Sequence, residues 1–286
     1  MRPYSTHGHL SLNFQADKAE AKTIMRVTKQ AHPLRAIRSF TQPDGTAAVH
    51  LHNVSGGVLG GDHLALQATI GPEAQVQLTT PGSTRIYRHR PEFADATQTT
   101  SLLIGPRALL EYLPESIIPF AQSRYRQHTQ IHLGPDAGLF WWEIVAPGRV
   151  AYKEQFTYDW LEMKTDIYAL QKPIAVERLR FSPGQQTSLS MVRLGKFTYW
   201  ATFYVCKAGH SDEFWQGVEN LVMAQCQDLT NPGKQSWGCS RLVSDGLIIR
   251  GLGVDSQSLM QGLTLLWQQT KQALYQQKIY IPRKLY

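Results

Sequence analysis

The amino-acid sequence predicts a mainly β protein with two α-helices near its C-terminus. Three observations indicate this fold class. Apolar and polar residues alternate in short segments through the first two thirds of the chain, Gly/Pro turns separate these segments at close spacing, and helical periodicity is confined to the last third. A period of two is typical of a strand with one buried face, whereas apolar residues three and four positions apart form one face of a helix.

The predicted strands begin near the N-terminus. Four sets of alternating apolar residues each occupy one face of a strand: Leu10, Leu12 and Phe14; Ala47, Val49 and Leu51; Leu64, Leu66, Ala68 and Ile70; and Val76 with Leu78. Turn residues such as Gly71-Pro72 and Gly105-Pro106 end these runs. Many short strands separated in this way favour an all-β body.

The last third of the chain predicts two helices, over about residues 211–227 and 256–276. Ser211 suits the N-cap of the first helix, and the acidic residues Asp212 and Glu213 suit its first turn. An apolar stripe defines the second helix: Leu259, Leu263, Leu266, Trp267 and Leu274.

The chain is expected to form a single domain over residues 1–286, because no linker of disordered composition divides it. The β-rich part extends over residues 1–205, and one more buried strand, around Leu247-Ile248-Ile249, lies between the predicted helices. A basic tail, Ile281-Pro282-Arg283-Lys284, follows the second helix, which the proline prevents from continuing.

The composition is that of a globular, mildly basic protein. The chain has 286 residues, of which 42% are apolar, and its 29 Lys and Arg outnumber its 22 Asp and Glu to give a formal charge of +7. So small an excess argues against a dedicated nucleic-acid-binding protein. No apolar run approaches the ~18 residues of a membrane span, and the N-terminus lacks the apolar segment of a secretory signal. We therefore expect a cytoplasmic protein with neither a membrane nor a nucleic acid as its partner.

The spacing of cysteine and histidine residues does not predict a tight metal site. Cys206, Cys226 and Cys239 form no CxxC pair, which excludes a disulfide scaffold and a structural zinc site of the usual spacing. His50 and His52 project from one face of a predicted strand, yet two imidazoles supply at most half of a tight site. A solvated histidine pair is the commoner outcome of such spacing.

The most unusual stretch is the glycine-rich segment SGGVLGGD, residues Ser55–Asp62. It lacks the Lys-Ser/Thr of a phosphate-binding Walker A loop and does not match GxGxxG. Two interpretations remain open. The segment forms two tight turns around a short buried piece, or it forms a backbone bend that presents Asp62 at a pocket or an interface.

Three glutamates interrupt apolar segments: Glu111, Glu143 and Glu177. A carboxylate on a central strand needs a cation, hydrogen bonds or water. One interpretation is a buried ion pair, for which Arg149 is available to Glu143. The other is a polar cavity lined by carboxylates, and paired carboxylates are typical of glycosidases. Neither a GxSxG elbow nor a Ser-His-Asp order is present, and we assign no catalytic residue.

Four stretches in one order resemble the UreD (or UreH) family of urease accessory proteins. They are SGGVLGGD at Ser55–Asp62, LTTPGSTRIYR at Leu78–Arg88, LEYLPESIIPFAQSRYRQ at Leu110–Gln127 and WEIVAPGR at Trp142–Arg149. The C-terminal Ser240-Arg241-Leu242 and Arg250-Gly251 also fit, so the resemblance extends roughly from Leu10 to the C-terminus. Pro81 and Cys239 depart from the residues expected at their positions.

The resemblance implies a β-helical body and a non-enzymatic function. UreD proteins act with UreF and the GTPase UreG as a chaperone complex on the urease apoprotein. GTP-linked nickel insertion then builds the dinuclear nickel centre of urease, and an internal, water-filled passage is a proposed nickel route in this family. The resemblance thus implies transient passage of Ni²⁺ and no permanently bound cofactor.

A passage of this kind needs side chains that bind nickel weakly. Ni²⁺ ranks high in divalent affinity, so an imidazole or thiolate cage would hold it, whereas carboxylates, hydroxyls and retained water release it. We predict that Asp62, Glu143 and Glu177 line the passage, with Ser83 and Glu111 as weaker candidates.

The second predicted helix is the candidate contact with UreF. We expect Leu259, Leu263 and Leu266 to face the core, which leaves the other side of the helix and the tail Ile281–Tyr286 for UreF. Deletion of this tail is then expected to weaken the recovery of UreF in a pull-down.

One alternative function comes from a different class. A β-helical, carbohydrate-active hydrolase would use Glu111, Glu143 or Asp62. It predicts two carboxyl groups at most ~9.5 Å apart across an open cleft.

Overall fold

A computed structural model describes residues 5–185, 194–277 and 279–281. The strands form two sheets, which we call the first and the second sheet. The first sheet contains β1 (His7–Asp17), β2 (Lys22–Ala31), β5 (His63–Ile70), β8 (Ala96–Ile104), β11 (Arg124–Leu133), β13 (Trp160–Ala169) and β14 (Lys172–Phe181). The second sheet contains β3 (Leu34–Thr41), β4 (Ala47–Asn53), β6 (Gln75–Thr79), β7 (Thr84–Ile86), β9 (Leu109–Tyr112), β10 (Ile117–Pro119), β12 (Gly138–Val145), β15 (Tyr199–Lys207), β16 (Gln235–Arg241) and β17 (Gly246–Gly253).

The central part of the chain alternates between the two sheets. Strands β5, β8, β11 and β13 pair in parallel in the first sheet, and β4, β6, β9 and β12 do so in the second. Parallel neighbours require a crossover, and here each crossover passes through the other sheet. Antiparallel pairs end both sheets. The mainly β fold is confirmed, whereas the β-helical description stays a prediction because both sheets are open.

The apolar core lies between the two sheets. Leu12, Phe14 and Ile104 of the first sheet are at most 2% exposed and share one buried cluster with Leu78 and Leu139 of the second. All four alternating sets that the sequence predicts are buried. The two-residue period therefore identifies the inward faces of these strands correctly.

Two helices, α1 (Asp212–Leu229) and α2 (Ser256–Tyr275), pack on the outer face of the second sheet. The Ser211 hydroxyl accepts a hydrogen bond from the Phe214 amide at 3.3 Å and so caps α1 as predicted. The Asp255 carboxylate caps α2 by accepting from the Ser258 amide at 2.7 Å.

The core-facing stripe of α2 is confirmed, since Leu259, Leu263 and Leu266 are fully buried. Residues 282–286 of the basic tail lie outside the described residues, together with the contact predicted for them. Neither described helix is long and apolar enough to cross a membrane.

Candidate functional site

A layer of polar side chains interrupts the apolar core between the two sheets. We define this polar layer by its members: Gln98, Thr100, Gln127, Thr129, Thr165 and Glu177 of the first sheet, and Glu143, Thr202 and Arg250 of the second. Each member shares the inward face of its strand with core residues, as Thr129 does with Ile131. Eight of these nine side chains are buried or half-buried and therefore need hydrogen bonds or water, whereas Arg250 is exposed at one end of the layer.

Strand register places these side chains in two rows. In the first sheet, cross-strand neighbours follow one another in the order Thr100, Thr129, Thr165 and Glu177. In the second sheet, the order is Glu143, Thr202 and Arg250. The rows end on the same side of the molecule, where Glu177 and Arg250 join the two sheets by an ion pair.

Glu143 is the first residue of the second-sheet row and contacts Gln127 of the first sheet. The side-chain amide of Gln127 donates a short hydrogen bond to Glu143 Oε1. Burial raises the pKa of Glu143 to about 8; the Gln127 hydrogen bond opposes this shift and the negative charge of Glu177 adds to it. The Glu143 carboxyl group is therefore mostly protonated and uncharged at neutral pH.

Glu177 has partners on both carboxylate oxygens. Arg250 Nη1 lies 2.7 Å from Glu177 Oε1, and the Tyr204 hydroxyl donates a short hydrogen bond to Glu177 Oε2. Tyr204 is held in place by stacking on Trp141, with ring centroids 5.4 Å apart. Burial, followed by the negative charge of Glu177, raises the pKa of Tyr204 well above its usual value, so the phenol remains a donor.

Three cavities follow the polar layer. The first, about 240 Å³, is lined by Gly57, Ser83, Gln98 and Tyr112 among others. The second, about 40 Å³, shares Gln98 and Tyr112 with the first and is faced by Glu143. The third, about 190 Å³, has both Glu177 and Arg250 in its wall. The first two adjoin one another and have enough polar groups in their walls to hold water, whereas the third is separate from them and is lined mainly by apolar side chains.

Ser83 lies where the first cavity meets the protein surface. Its hydroxyl is 3.0 Å from that of Ser116. Besides the first cavity, Ser83 lines a groove of about 650 Å³ that runs beside α2 and includes Met260 and Leu265. Ser83 is therefore placed at the outer end of the two adjoining cavities.

Asp62 closes the turn formed by the glycine-rich segment. Its Oδ2 accepts a hydrogen bond from the Leu59 amide at 2.9 Å, and burial raises its pKa. Val58 is fully buried, and a Cβ on Gly57 would lie 2.6 Å from the Arg85 carbonyl oxygen, so this position requires glycine. Of the two interpretations, the pair of turns around a buried piece is confirmed. Asp62 lines none of the three cavities.

Glu111 lies on the opposite face of the second sheet, against α2. Lys271 Nζ is 2.8 Å from Glu111 Oε1, and both side chains are 1% exposed. The Trp267 indole and the Gln77 amide also donate hydrogen bonds to the carboxylate, at 3.1 and 2.9 Å. This is the buried ion pair that the sequence left open as one interpretation.

The structure thus places Ser83 and Glu143 in two adjoining cavities and Glu177 in a third cavity at the end of the polar layer. Asp62 and Glu111 lie elsewhere. The proposed pairing of Arg149 with Glu143 is wrong, because Arg149 follows the end of β12 and binds Glu154, with Nε 2.7 Å from Oε2.

Sequence reasoning did not identify Gln127, Tyr204 and Arg250 as partners of the two inward glutamates. Their positions relative to Glu143 and Glu177 depend on the register of strands that are distant in sequence. The only available signal was the motif Arg250-Gly251, which carried part of the family resemblance without indicating a partner for Arg250.

The histidines and cysteines form no larger cluster. The rings of His50 and His52 lie 6.4 Å apart, and no group of three His, Cys, Asp or Glu with metal-binding geometry occurs among residues 5–185, 194–277 and 279–281. Cys206 and Cys226 are buried, and Cys239 is half-buried.

The carboxylates invoked for a hydrolase do not share a cleft. Glu111 is in register with Phe140 on the helix-covered face of the second sheet, whereas Glu143 is on the inward face. Asp62 is buried in its turn. No two of these three carboxylates are therefore presented together to one open site, as retaining or inverting hydrolysis would require.

Comparison with known proteins gives concordant matches. The family model described as UreD urease accessory protein matches residues 6–285 of this chain. The urease accessory protein UreD of Herpetosiphon aurantiacus is 43% identical over 280 residues, which cover 98% of this chain and 96% of that protein. The proteins of the same name from Dechloromonas aromatica and Alcanivorax borkumensis are each 30% identical, over 98% and 96% of this chain and 94% and 90% of their own lengths.

Proposed function

Since this chain belongs to the UreD family of urease accessory proteins, we propose that it serves urease maturation as a non-catalytic scaffold along which Ni²⁺ passes to the urease apoprotein. One observation supports the nickel route: two adjoining cavities lie along the polar layer, Glu143 faces the second of them, and Glu177 lines a separate cavity at the end of the layer. Ser83 stands at the entrance to the first cavity.

The donor set of the polar layer suits an ion that must leave again. Its side chains offer carboxylate, hydroxyl and amide oxygens, which bind Ni²⁺ less tightly than imidazole or thiolate groups do. Glu143 must lose its proton before it can bind a cation, and its pKa of about 8 means that the proton competes with the cation at neutral pH and keeps binding weak. Metal arrival and proton release at Glu143 are thus coupled.

We further propose UreF, the GTPase UreG and the urease apoprotein subunits as partners, in the cytoplasm. The groove beside α2 supports a docking surface for UreF. It exposes Leu265, which is 47% accessible, and it adjoins Ser83 at the entrance to the cavities. A protein bound in this groove is adjacent to the point where an ion enters or leaves.

The nickel content of urease tests this proposal. Urease subunits, UreF and UreG are co-expressed with this chain or with its Glu143→Leu variant, and nickel per urease active site is measured. We expect the substitution to lower nickel content, because leucine removes the oxygen donor and fills the second cavity with apolar atoms. Among the described residues Glu143 has no cationic partner, so the variant is expected to fold.

Glu92→Leu provides the matched control, because Glu92 is exposed and lies outside the polar layer. Co-purification with UreF establishes that each variant enters the complex. Normal nickel loading by a correctly assembled Glu143→Leu variant would refute the route through the polar layer.

A further inference from the structure

A pair of thiols lies between helix α1 and strand β16, on the helix-covered side of the second sheet. Cys226 belongs to the buried face of α1 together with Val218 and Val222, and Cys239 packs against the same apolar cluster from β16. The two cysteines are 13 positions apart in sequence, so no CxxC motif indicates the pair. The function proposed above uses neither of them.

The turn after α1 brings the Cys226 end of the helix onto β16. The Thr230 hydroxyl donates a hydrogen bond to the Cys226 carbonyl oxygen at 2.8 Å and accepts one from the Trp237 amide at 3.0 Å. Cys239 is two positions beyond Trp237 and therefore lies on the same face of the strand, toward the helices. Cys226 and Cys239 thus face one another across the contact between α1 and β16.

A second set of contacts lies on the other side of the pair. Arg241 Nε is 3.2 Å from Glu219 Oε2, and the Cys239 sulfur is 3.9 Å from the Glu219 carbonyl oxygen. Glu219 precedes Cys226 by about two helical turns. The two cysteines are therefore held between contacts at both ends, and their thiols are in hydrogen-bond contact with one another.

The two thiols differ in exposure and in acidity. Cys226 is fully buried, whereas Cys239 is half-buried. The hydrogen bond from the Cys226 thiol lowers the pKa of Cys239, against the opposing effects of burial and of the negative charge of Glu219. The same hydrogen bond, together with burial, raises the pKa of Cys226. An accessible thiol with a lowered pKa beside a second thiol is typical of cysteines that react with oxidants.

We propose that Cys239 and Cys226 form a dithiol that reacts with hydrogen peroxide and closes to a reversible disulfide between α1 and β16. The Cys239 thiolate attacks one peroxide oxygen, the O–O bond breaks, and the leaving hydroxide takes up a proton to form water. The Cys226 thiol then attacks the sulfenic acid on Cys239. The S–O bond breaks, the thiol proton leaves with the hydroxyl group as a second water, and the S–S bond forms.

The electron balance of the reaction is complete. The two sulfur atoms lose two electrons, which reduce the peroxide to water, and a dithiol reductant reverses the reaction by thiol–disulfide exchange. The inference goes beyond the proposed function, because it needs neither nickel nor the cavities of the polar layer.

The disulfide is expected to stabilise the contact between α1 and the edge of the second sheet. Strand β16 ends this sheet and pairs with β17 on one side. A bond that closes the loop 226–239 lowers the conformational entropy of the unfolded chain. We therefore expect the midpoint of thermal unfolding to rise by about 5 °C on oxidation.

Peptide mass spectrometry of the full-length purified chain tests the inference. The reduced chain is treated with hydrogen peroxide, its remaining free thiols are alkylated, and it is digested with trypsin. Cleavage after Lys234 places the two cysteines on the separate peptides 208–234 and 235–241. We expect these peptides to be recovered as one disulfide-linked species, which dithiothreitol separates.

Cysteine variants test the order of the two steps. In Cys226→Ser, peroxide is expected to leave Cys239 as a sulfenic acid, which dimedone traps. In Cys239→Ser, the buried Cys226 is expected to give no dimedone adduct and the rise in the unfolding midpoint is expected to vanish. Cys206→Ser is the matched control, because Cys206 is also buried and the disulfide is expected to form without it. Thermal unfolding of each reduced variant establishes that it is folded.

Two results would overturn the inference, and the first needs no variant. One is the recovery of unlinked, alkylated peptides 208–234 and 235–241 from the peroxide-treated unchanged chain. The other is a disulfide that links either peptide to Cys206 or to a second copy of the chain. A dimedone adduct on Cys226 in Cys239→Ser as abundant as that on Cys239 in Cys226→Ser would contradict the assignment of Cys239 as the thiol that attacks the peroxide.

Discussion

Glu111 and Glu143 are carried by neighbouring strands of the second sheet, yet they lie on opposite faces and in opposite surroundings. Glu111 faces the helices and is neutralised by the buried ammonium of Lys271, with two further hydrogen bonds. Glu143 faces the first sheet and a small cavity, with one hydrogen bond from an amide and no cationic partner among the residues described.

The difference shows two ways to keep a carboxyl group inside a protein. A fixed ion pair holds the charge and ties α2 to the sheet, so any change of partner is costly. A carboxyl group with a raised pKa instead binds a proton and stays uncharged. Only the second arrangement leaves a carboxyl group that can exchange its proton for a metal ion. This difference is why the proposed nickel route follows the polar layer and not the ion pair beside α2.

The largest loss of stability is expected when the buried ion pair between Glu111 and Lys271 is broken. Lys271→Met leaves the Glu111 carboxylate buried without a cation and is expected to lower the free energy of unfolding by about 3–5 kcal/mol. Urea unfolding measures this loss. Lys164→Met is the comparison, because Lys164 is 41% exposed in its pair with Glu162, and its removal is expected to cost at most about 1 kcal/mol. Similar losses in the free energy of unfolding for the two variants would contradict the assignment of Glu111 and Lys271 as a fixed, buried ion pair.

The pH dependence of stability tests the raised pKa of Glu143, on the inward face of the second sheet. Glu143 has a folded-state pKa of about 8 against an ordinary 4.5, so the folded protein binds the extra proton between these values. Stability therefore falls as pH rises through that window, by at most ~1.4 kcal/mol per pH unit and by about 2 kcal/mol in total once cavity water is allowed for.

Glu143→Gln removes this titration while it keeps the shape of the side chain. Urea unfolding of both proteins at several pH values between 4.5 and 8 is expected to show a difference in stability that grows with pH in favour of the variant. Parallel pH profiles for the two proteins would mean that Glu143 is ionised and solvated in the folded state.

Glu111 and Glu143 also show which features of the site the sequence could not predict. In a half-buried strand such as β1, the alternation of apolar and polar residues identifies the inward face. Leu10, Leu12 and Phe14 are buried as predicted. Strands β9 and β12 are covered on both faces, by the first sheet and by the helices, so their apolar runs are nearly continuous. Without alternation, the sequence cannot tell which face Glu111 or Glu143 occupies.

Contact partners that lie on strands distant in sequence cannot be predicted from the sequence for a related reason. Arg149 was the nearest cation to Glu143 in sequence, but it lies beyond the end of β12 and binds Glu154. Arg250 reaches Glu177 because β17 pairs with β15 and β14 pairs with β13 in particular registers. Register is a property of the assembled sheets, so the glutamates were predictable as buried polar residues while their partners were not.

The smallest change in stability is expected at Glu177, at the end of the polar layer. Glu177 has a cationic partner, as Glu111 has, but the pair is partly exposed and borders a cavity. Glu177→Gln is therefore expected to change the free energy of unfolding by at most about 1 kcal/mol, because water screens the pair and the glutamine oxygen still accepts from Tyr204. Urea unfolding alongside Lys271→Met makes the comparison direct. A loss at Glu177 as large as that at Lys271 would make this ion pair a fixed part of the core, like the pair of Glu111 with Lys271.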